Sequence, residues 1–182
     1  MPVQKYGGKR AALRFATYAL LARLGLCSAS RQVQWRRAKR LVFVCSGNIC
    51  RSPFAAELAK KRGLPAASFG VDARGNAAAE PRAAAAALRW DVDLGSHVST
   101  SLEQFRPLDG DVFVAMEPRH LKIALPLAAK AGAQSTLLGM WCTAPRPYLP
   151  DPYGASVECF YFVFHMIDDA LANIGNSIGG QE

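Results

Sequence analysis

The residues best suited to chemistry are a cysteine and an arginine with five residues between them. Cys45 begins the stretch Cys-Ser-Gly-Asn-Ile-Cys-Arg-Ser-Pro, and Arg51 lies near its end. Five residues are enough for the backbone to curl once around a tetrahedral anion with its N–H groups pointing inward. The guanidinium of Arg51 can hold two oxygens of the same anion. The spacing therefore predicts a phosphate-binding loop over residues 45–51, with a thiol at its base.

The cysteine at the base of this loop is predicted to be a nucleophile. Inward-pointing amides, a helix N-terminus and the Arg51 guanidinium all favour a thiolate over a thiol. Ser52 can donate a hydrogen bond to the sulfur and stabilise that charge. A thiolate beneath a bound phosphate ester can form a covalent bond to phosphorus. The alternative, a small core residue after a buried strand, leaves Arg51, Ser52 and Pro53 unexplained.

The backbone of the loop has residues that fit its tight curvature. Gly47 permits a path that a side chain would obstruct, and Asn48 is one of the few other residues that tolerate a left-handed conformation. A Walker-type nucleotide loop is excluded, because no Gly-Lys-Ser/Thr sequence follows Gly47. The predicted phosphate-binding residues are Ser46, Gly47, Asn48, Ile49, Cys50 and Arg51.

The elements that must position this loop alternate between strand and helix. From Leu41 onward, strands are predicted over 41–44, 66–71, 111–116 and 135–140, and helices over 53–62, 81–90, 118–131 and 154–174. Ser52 is the predicted N-cap of the helix after the loop, with Pro53 at its first position. The alternation favours an α/β fold with a parallel sheet and helices on both faces, where ligands bind at the carboxyl ends of strands.

Charge divides the 182 residues into two parts. Residues 1–40 carry ten Lys or Arg and no acidic residue, whereas the remainder carries twelve Lys or Arg against fourteen acidic residues. The overall hydrophobic content of 51% is that of a globular protein. We therefore predict a basic, partly helical N-terminal extension over residues 1–40 and a catalytic domain over residues 41–182.

The role of the basic extension stays open between several alternatives. Contact with an acidic surface, either anionic lipid or nucleic acid, is one interpretation, and a solvated tail is the other. The apolar stretch 11–27 contains Arg14 and Arg23 and is too short to cross a bilayer. Residues 1–40 could dock on the domain, lie on a lipid surface, or be removed as a targeting segment.

The cysteines and histidines do not form a disulfide framework or a metal site in the sequence. The number of cysteines, five, is odd, and no Cys-x-x-Cys pair occurs among them. The three histidines do not lie at metal-ligand spacing from the cysteines or from one another. We therefore expect no structural disulfides, and no metal at the site.

The loop closely resembles the signature of the bacterial low-molecular-weight protein tyrosine phosphatase family. The family pattern Cys-x-Gly-Asn-x-Cys-Arg-Ser-Pro is matched throughout, and Asp151-Pro152-Tyr153 matches a second catalytic motif before the last helix. The resemblance spans residues 41–174. It implies a three-layer fold with a four-stranded parallel sheet in the order 2-1-3-4, flanked by helices, and chemistry without a cofactor.

The resemblance also implies the catalytic roles. Cys45 would attack phosphorus and form a cysteinyl-phosphate, while Arg51 would bind the substrate and the equatorial oxygens of the transition state. Asp151 would protonate the leaving phenolate and then activate the water of the second step. Residues that would hold the loop in shape are Asn48, Ser52, Ser68 and His97.

Two further residues have less defined roles under the same resemblance. Cys50 is either a partner for a reversible disulfide with Cys45 or a packing residue of the loop. Tyr153 is the best candidate for an aromatic wall of the substrate pocket, with Phe69 and Tyr148 as weaker ones. Related enzymes that act on phosphoarginine carry Thr where Ile49 stands, which favours phosphotyrosine as the substrate here.

The expected partner is a phosphotyrosine-bearing protein. By analogy with the family, this is a tyrosine kinase of polysaccharide export, and the location is cytoplasmic. Residues 1–40 are a candidate for peripheral contact with the anionic inner membrane, and no nucleic acid partner is expected.

Two alternatives from other functional classes compete with this hypothesis. A thioredoxin-coupled arsenate reductase shares the fold and the loop, but it needs two more cysteines on a mobile segment. Only Cys142 and Cys159 are available for that relay. The other alternative is a phosphate-binding module without activity, which does not account for the combination of Cys45, Arg51 and Asp151.

Overall fold

The computed structural model describes residues 3–27 and 32–180 and has a four-stranded parallel sheet at its centre. The strand order is β2-β1-β3-β4, as predicted, so the expected topology is confirmed. Every residue of β1 except Arg40 is buried. A continuous apolar run of this kind is typical of a parallel strand covered on both faces. The strands are β1 (Arg40–Cys45), β2 (Ala66–Gly70), β3 (Asp111–Ala115) and β4 (Gln134–Leu137).

Five α-helices accompany the strands within the described residues. In chain order they are α1 (Lys9–Arg23), α2 (Arg51–Lys61), α3 (Pro81–Ala87), α4 (Pro118–Lys130) and α5 (Val157–Gly179). Helix α2 packs on β1, β2 and α5, whereas α4 packs on β3 and β4. The β1–β2 and β3–β4 connections run in opposite directions along the sheet. Right-handed crossovers then place α2 and α4 on opposite faces, which produces the three layers.

The last helix supplies much of the apolar core. The predicted stripe is buried, with Phe160, Phe164, Ile167 and Leu171 fully covered. Phe164 stacks on Phe54 of α2 with ring centroids 3.8 Å apart. The helix spans 157–179 rather than the predicted 154–174, because Gly154 adopts a positive φ of 74° in the turn before it.

The start of α2 differs from the prediction. The helix begins at Arg51 with Cys50 as the N-cap residue, so Ser52 is not the N-cap and Pro53 is not the first helical position. The physical reason lies in the loop, where the Ser52 hydroxyl contacts the Cys45 sulfur instead of a free backbone N–H. The last predicted strand also ends early, and a 3-10 helix over Leu138–Trp141 replaces its final residues.

The segment just before β1 packs into the core. Trp35 is only 4% exposed and lies edge-to-face against Trp141, with ring centroids 4.8 Å apart. Gln34 and Gln134 exchange two hydrogen bonds between this segment and the start of β4. The basic residues before the domain are thus anchored by a buried aromatic pair.

The N-terminal arm, here residues 3–27, lies against α5. A 3-10 helix over Val3–Tyr6 contacts α5, and α1 follows it. Tyr6, Phe15 and Phe162 form one aromatic cluster with centroid distances of 4.9 to 5.7 Å. Across residues 3–27 and 32–180, helices fall short of the combined length and hydropathy that crossing a bilayer requires.

Candidate active site

The loop over residues 45–51 lies where the sheet changes direction. It leaves the carboxyl end of β1, between β1 and β3, whose following connections run to opposite edges. A crevice forms at this point in doubly wound sheets, because the adjoining connections lead away from each other. The predicted position of the loop at a strand end is therefore the position that the structure gives it.

The sulfur of Cys45 accepts two polar contacts at the base of the loop. The Asn48 backbone N–H donates to it over 3.3 Å, and the Ser52 hydroxyl lies 3.0 Å away. The Asn48 side-chain amide donates to the Ser52 oxygen over 2.8 Å. Because that oxygen already accepts a hydrogen bond, its own proton is free to point at the sulfur. Both donors are therefore directed at the sulfur.

Asn48 connects the loop to its surroundings. It is fully buried with a positive φ of 54°, as the sequence suggested for a tight curve. Its side-chain amide also donates to Ser68 over 2.8 Å, and its carbonyl oxygens receive the Thr100 N–H and the His97 ring nitrogen. The four residues expected to hold the loop thus meet. Thr100 was missed because it contributes only its backbone N–H, which carries no sequence signal.

Arg51 lies buried beneath the mouth of the loop, with 1% of its surface exposed. Its Nη1 donates to the Leu149 carbonyl over 3.0 Å and contacts Glu117 at 3.3 Å. Its Nη2 lies 2.8 Å from the Asp151 carboxylate. Among the described residues, Nε and Nη2 have no partner with hydrogen-bond geometry. This edge of the guanidinium matches two oxygens of a tetrahedral anion.

Glu117 and His120 form a second buried pair beside the loop. The His120 Nε2 lies 3.0 Å from Glu117 and 2.9 Å from the Ser46 hydroxyl. Burial lowers the pKa of His120 and so favours the neutral ring. Burial alone would raise the pKa of Glu117, but the hydrogen bond from His120 and the charge of Arg51 bring it below its usual value. The sequence showed both residues but not their contacts.

Asp151 faces the loop from the other side of the pocket. Its carboxylate is 44% exposed and receives the Tyr153 backbone N–H over 3.2 Å. Tyr153, the residue predicted as an aromatic wall, is 65% exposed and borders the pocket. The prediction that Phe69 and Tyr148 could also form this wall was wrong. Phe69 stacks on Phe105 in the core, and Tyr148 is buried away from the opening.

The pocket itself has a volume of about 210 Å³. The loop residues form its floor, and Ile49 and Tyr153 provide apolar surface. Asp72 lines another side and forms a two-pronged ion pair with Arg119 at 2.7 and 2.8 Å. The hydrogen bond from Arg119 is the main reason why the pKa of Asp72 is lowered. This pair neutralises a carboxylate that would otherwise repel an anionic substrate.

Of the remaining cysteines, Cys50, Cys142 and Cys159 are buried and Cys27 is half-buried, and none forms a disulfide within the described residues. Burial, together with the negative charge of Asp151, raises the pKa of Cys50 well above its ordinary value. Burial likewise raises the pKa of Cys142 to about 12 and that of Cys159 to about 11. Neither is suited to a rapid disulfide relay, because the thiolate is the reactive form. Within the described residues, no group of His, Cys, Asp and Glu side chains could hold a metal ion.

Comparison with known proteins gives consistent relatives. The sequence model of the family described as low molecular weight phosphotyrosine protein phosphatase matches residues 40–181. The low molecular weight protein-tyrosine-phosphatase Etp of Escherichia coli K12 is 32% identical over 132 residues, covering 71% of this chain and 88% of Etp.

Solved structures agree with the sequence match. The tyrosine phosphatase Wzb from Escherichia coli K30 in complex with sulphate superposes with a TM-score of 0.67 at 27% identity, covering 78% of this chain and 99% of Wzb. A YwlE arginine phosphatase mutant gives 0.66 at 27% identity, covering 77% and 95%. The expected enzyme class, a protein-tyrosine-phosphatase, is confirmed, and the chain belongs to the low molecular weight phosphotyrosine protein phosphatase family.

Proposed function

We propose that the chain hydrolyses phosphotyrosine in proteins through a cysteinyl-phosphate intermediate. The observation that carries the proposal is the convergence of Cys45, Arg51 and Asp151 on one pocket. The sulfur lies at the base of the loop, the guanidinium beneath its mouth and the carboxylate on the opposite side. This arrangement suits an in-line displacement at phosphorus, with the leaving oxygen directed toward the carboxylate.

In the first step, the Cys45 thiolate forms a bond to phosphorus as the bond to the tyrosine oxygen breaks. Asp151 gives its proton to the departing phenolate, which leaves as tyrosine. The Nε and Nη2 edge of Arg51, where Nη2 lies 2.8 Å from Asp151, binds two phosphoryl oxygens, and the loop N–H groups bind the others. The Ser52 hydroxyl steadies the thiolate before the attack and does not compete for the phosphate.

In the second step, water attacks the phosphorus of the cysteinyl-phosphate. The Asp151 carboxylate accepts the proton of that water, the sulfur–phosphorus bond breaks, and inorganic phosphate and the thiolate are released. Asp151 thereby regains the proton that the next cycle needs. Among the described residues, the other candidate bases are engaged elsewhere, because Asp72 is paired with Arg119 and the His120 ring contacts Glu117 and Ser46.

The substrate class follows from the walls of the pocket. Tyr153 and Ile49 offer apolar surface to an aromatic ring above the phosphate. Ile49, in place of the Thr of phosphoarginine phosphatases, favours phosphotyrosine although an arginine phosphatase has a similar fold. The relatives named protein-tyrosine-phosphatases support the same class, and a tyrosine kinase of polysaccharide export is the partner that we propose by analogy.

We further propose a cytoplasmic location with peripheral contact to anionic lipid through residues 1–40. Helix α1 turns Leu13 and Leu20 outward, Leu24 follows directly after it, and each of the three is more than half exposed. Lys9, Arg10 and Arg23 lie among them on the exposed surface. A helix with exposed leucines and basic side chains suits the surface of an anionic bilayer.

The test of the proposed reaction is substitution of the nucleophile. Cys45→Ser should lower the turnover of p-nitrophenyl phosphate at mildly acidic pH by at least about 10⁴-fold, because its hydroxyl is a far weaker nucleophile. Binding of a phosphotyrosine peptide, measured by calorimetry, should persist, because Arg51 and the loop amides remain. Cys27→Ser, which changes a cysteine of the N-terminal arm, is the matched control and should keep full turnover. An active Cys45→Ser variant would refute the mechanism.

A further inference from the structure

The loop that carries Asp151 is held from two sides. We name residues 145–155 the acid loop. On its inner side, Leu149 donates its N–H to Met116 over 3.0 Å, and its carbonyl accepts the Arg51 guanidinium over 3.0 Å. These contacts connect the acid loop to the end of β3 and to the phosphate loop. They do not reach the outer side of the acid loop.

The outer side of the acid loop is covered by the N-terminal arm. The ring of Tyr18 stacks on Tyr148 with centroids 5.8 Å apart and an interplanar angle of 17°. Arg14 lies near the Tyr148 hydroxyl, and its charge opposes the rise that burial causes in the pKa of that group. The guanidinium of Arg146 lies 5.8 Å from the centre of the Phe15 ring. Tyr148 is only 4% exposed as a result, although it precedes Asp151 by three residues on a surface loop.

The arm also touches the backbone of Asp151 itself. A Cβ built on Gly7 would lie 3.1 Å from the Asp151 carbonyl oxygen and 3.7 Å from the Cys159 sulfur. Gly7 has a φ of 79°, which L side chains rarely adopt. A side chain at this position would therefore be strained and would crowd the Asp151 carbonyl, which the glycine avoids. The 3-10 helix before it is fixed to α5 by the aromatic cluster of Tyr6, Phe15 and Phe162.

We propose that the N-terminal arm is a positioning element of the catalytic site, in which Tyr18, Arg14 and Gly7 hold the acid loop so that Asp151 faces the phosphate loop. The inference rests on the proposed role of Asp151 as general acid. The family match begins at residue 40, so the arm is an addition to the matched domain. Tyr18 and Arg14 act through Tyr148 and do not border the pocket.

The test uses the full chain with Tyr18→Ala, and Tyr18→Phe to restore the ring stack. The readout is kcat/KM for two aryl esters, phenyl phosphate with a poor leaving group and 2,4-dinitrophenyl phosphate with a good one. A misplaced acid should matter only when the leaving oxygen needs a proton. Tyr18→Ala should lower kcat/KM for phenyl phosphate by about tenfold or more, because a small displacement of a catalytic group slows the reaction strongly. Loss on the dinitrophenyl ester should be at most twofold, and Tyr18→Phe should be close to wild type.

Inhibition by inorganic phosphate should be unchanged in Tyr18→Ala, because the phosphate loop is untouched. Leu20→Ala, on the outward face of α1, is the matched control and should leave both esters unaffected. If Tyr18→Ala does not fold, as judged by circular dichroism, Gly7→Ala perturbs the acid loop at Asp151 instead of at Tyr148 and should show the same selective loss.

The outcomes separate this proposal from the proposed function. Asp151→Asn should show a large leaving-group-selective loss whether or not the arm matters. If Asp151→Asn behaves so while Tyr18→Ala loses nothing, or loses equally on both esters, the positioning role is refuted and the proposed reaction stands. If wild-type protein hydrolyses neither ester, the proposed function itself fails.

Discussion

At the scale of single residues, the site depends on a few buried polar groups that each contact several others. Asn48 shows the principle, because one side chain fixes Ser52, Ser68 and the Thr100 backbone together. The resemblance to the family predicted Asn48, Ser68 and His97 as neighbours although they are far apart in sequence. It could not predict the Glu117–His120 pair, because that contact depends on how α4 meets the loop in space.

The buried His120 has a consequence for stability that can be measured. Burial lowers the pKa of His120, so the folded state binds its proton less readily than the unfolded state. The contribution of neutral, buried His120 to the unfolding free energy is fully present above the unfolded pKa of about 6.5. It is lost as the pH falls below that value. Unfolding free energy should therefore decrease between pH 7 and pH 5, by no more than about 1.4 kcal/mol per pH unit from this group.

Urea unfolding at pH 7, 6 and 5 tests this sign. His120→Gln cannot titrate and should show a shallower decrease than wild type over that range. His165→Gln, at an exposed position of α5, is the matched control and should keep the wild-type slope. Glu117 stays ionised throughout this range because its pKa is lowered. Equal slopes for wild type and His120→Gln would contradict the expectation.

At the scale of elements, the sequence predicted strands and helices well where their apolar periodicity is strong. The four strands, their order and the stripe on α5 are as expected. The errors lie at ends, where a tertiary contact decides. β4 gives way to a 3-10 helix because Gly139 must turn toward Arg146, whose N–H donates to the Gly139 carbonyl over 2.7 Å.

Gly139 is predicted to be irreplaceable in this turn. A Cβ there would lie 1.7 Å from the Arg146 carbonyl oxygen and 2.6 Å from the Leu149 side chain. Gly139→Ala should therefore push the acid loop outward and lower the unfolding free energy by about 1–3 kcal/mol, as overpacking does. Urea unfolding measures the stability, and kcat/KM on phenyl phosphate measures the position of the loop.

Gly175 provides the matched control for this substitution. It lies inside α5, and a Cβ there would meet nothing within 4 Å. Gly175→Ala should raise the unfolding free energy by up to about 1 kcal/mol, because alanine is the better helix former. The two Gly→Ala changes should thus have opposite signs. A stabilised or unchanged Gly139→Ala protein would show that the turn can relax.

At the scale of the whole molecule, the chain is a domain of the phosphatase family with an N-terminal arm that has two different faces. The inner face of the arm meets α5 and the acid loop, whereas the outer face presents leucines and basic side chains. Composition alone revealed the basic segment but could not decide between docking and lipid contact. Docking of the arm depends on contacts of its aromatic residues with Phe162 and Tyr148. No local sequence pattern reveals these contacts.

The outer face leads to a prediction for lipid binding. Full-length protein should co-sediment with vesicles that contain anionic phosphatidylserine and much less with neutral vesicles. Arg10→Glu should weaken binding by about tenfold or more, because each basic residue near the surface contributes about 1 kcal/mol and the change reverses a charge. Lys122→Glu, an equal charge change on α4, is the matched control and should have little effect.

Salt distinguishes this contact from non-specific pelleting. Binding should fall steeply between 0.05 and 0.5 M NaCl, since the Debye length shrinks over that range. Equal sedimentation with neutral and anionic vesicles, or equal loss for Arg10→Glu and Lys122→Glu, would contradict lipid contact through the arm. Neither result would alter the positioning role of its inner face.

The locations of the three tryptophans affect how the protein can be observed. Trp35 and Trp141 form one buried pair, and Trp90 packs against Phe54 and Phe164. None of them borders the pocket. Tryptophan fluorescence should therefore report unfolding of the core but not the binding of a phosphate ester in the loop. A fluorescence titration of binding consequently needs a dye-labelled peptide.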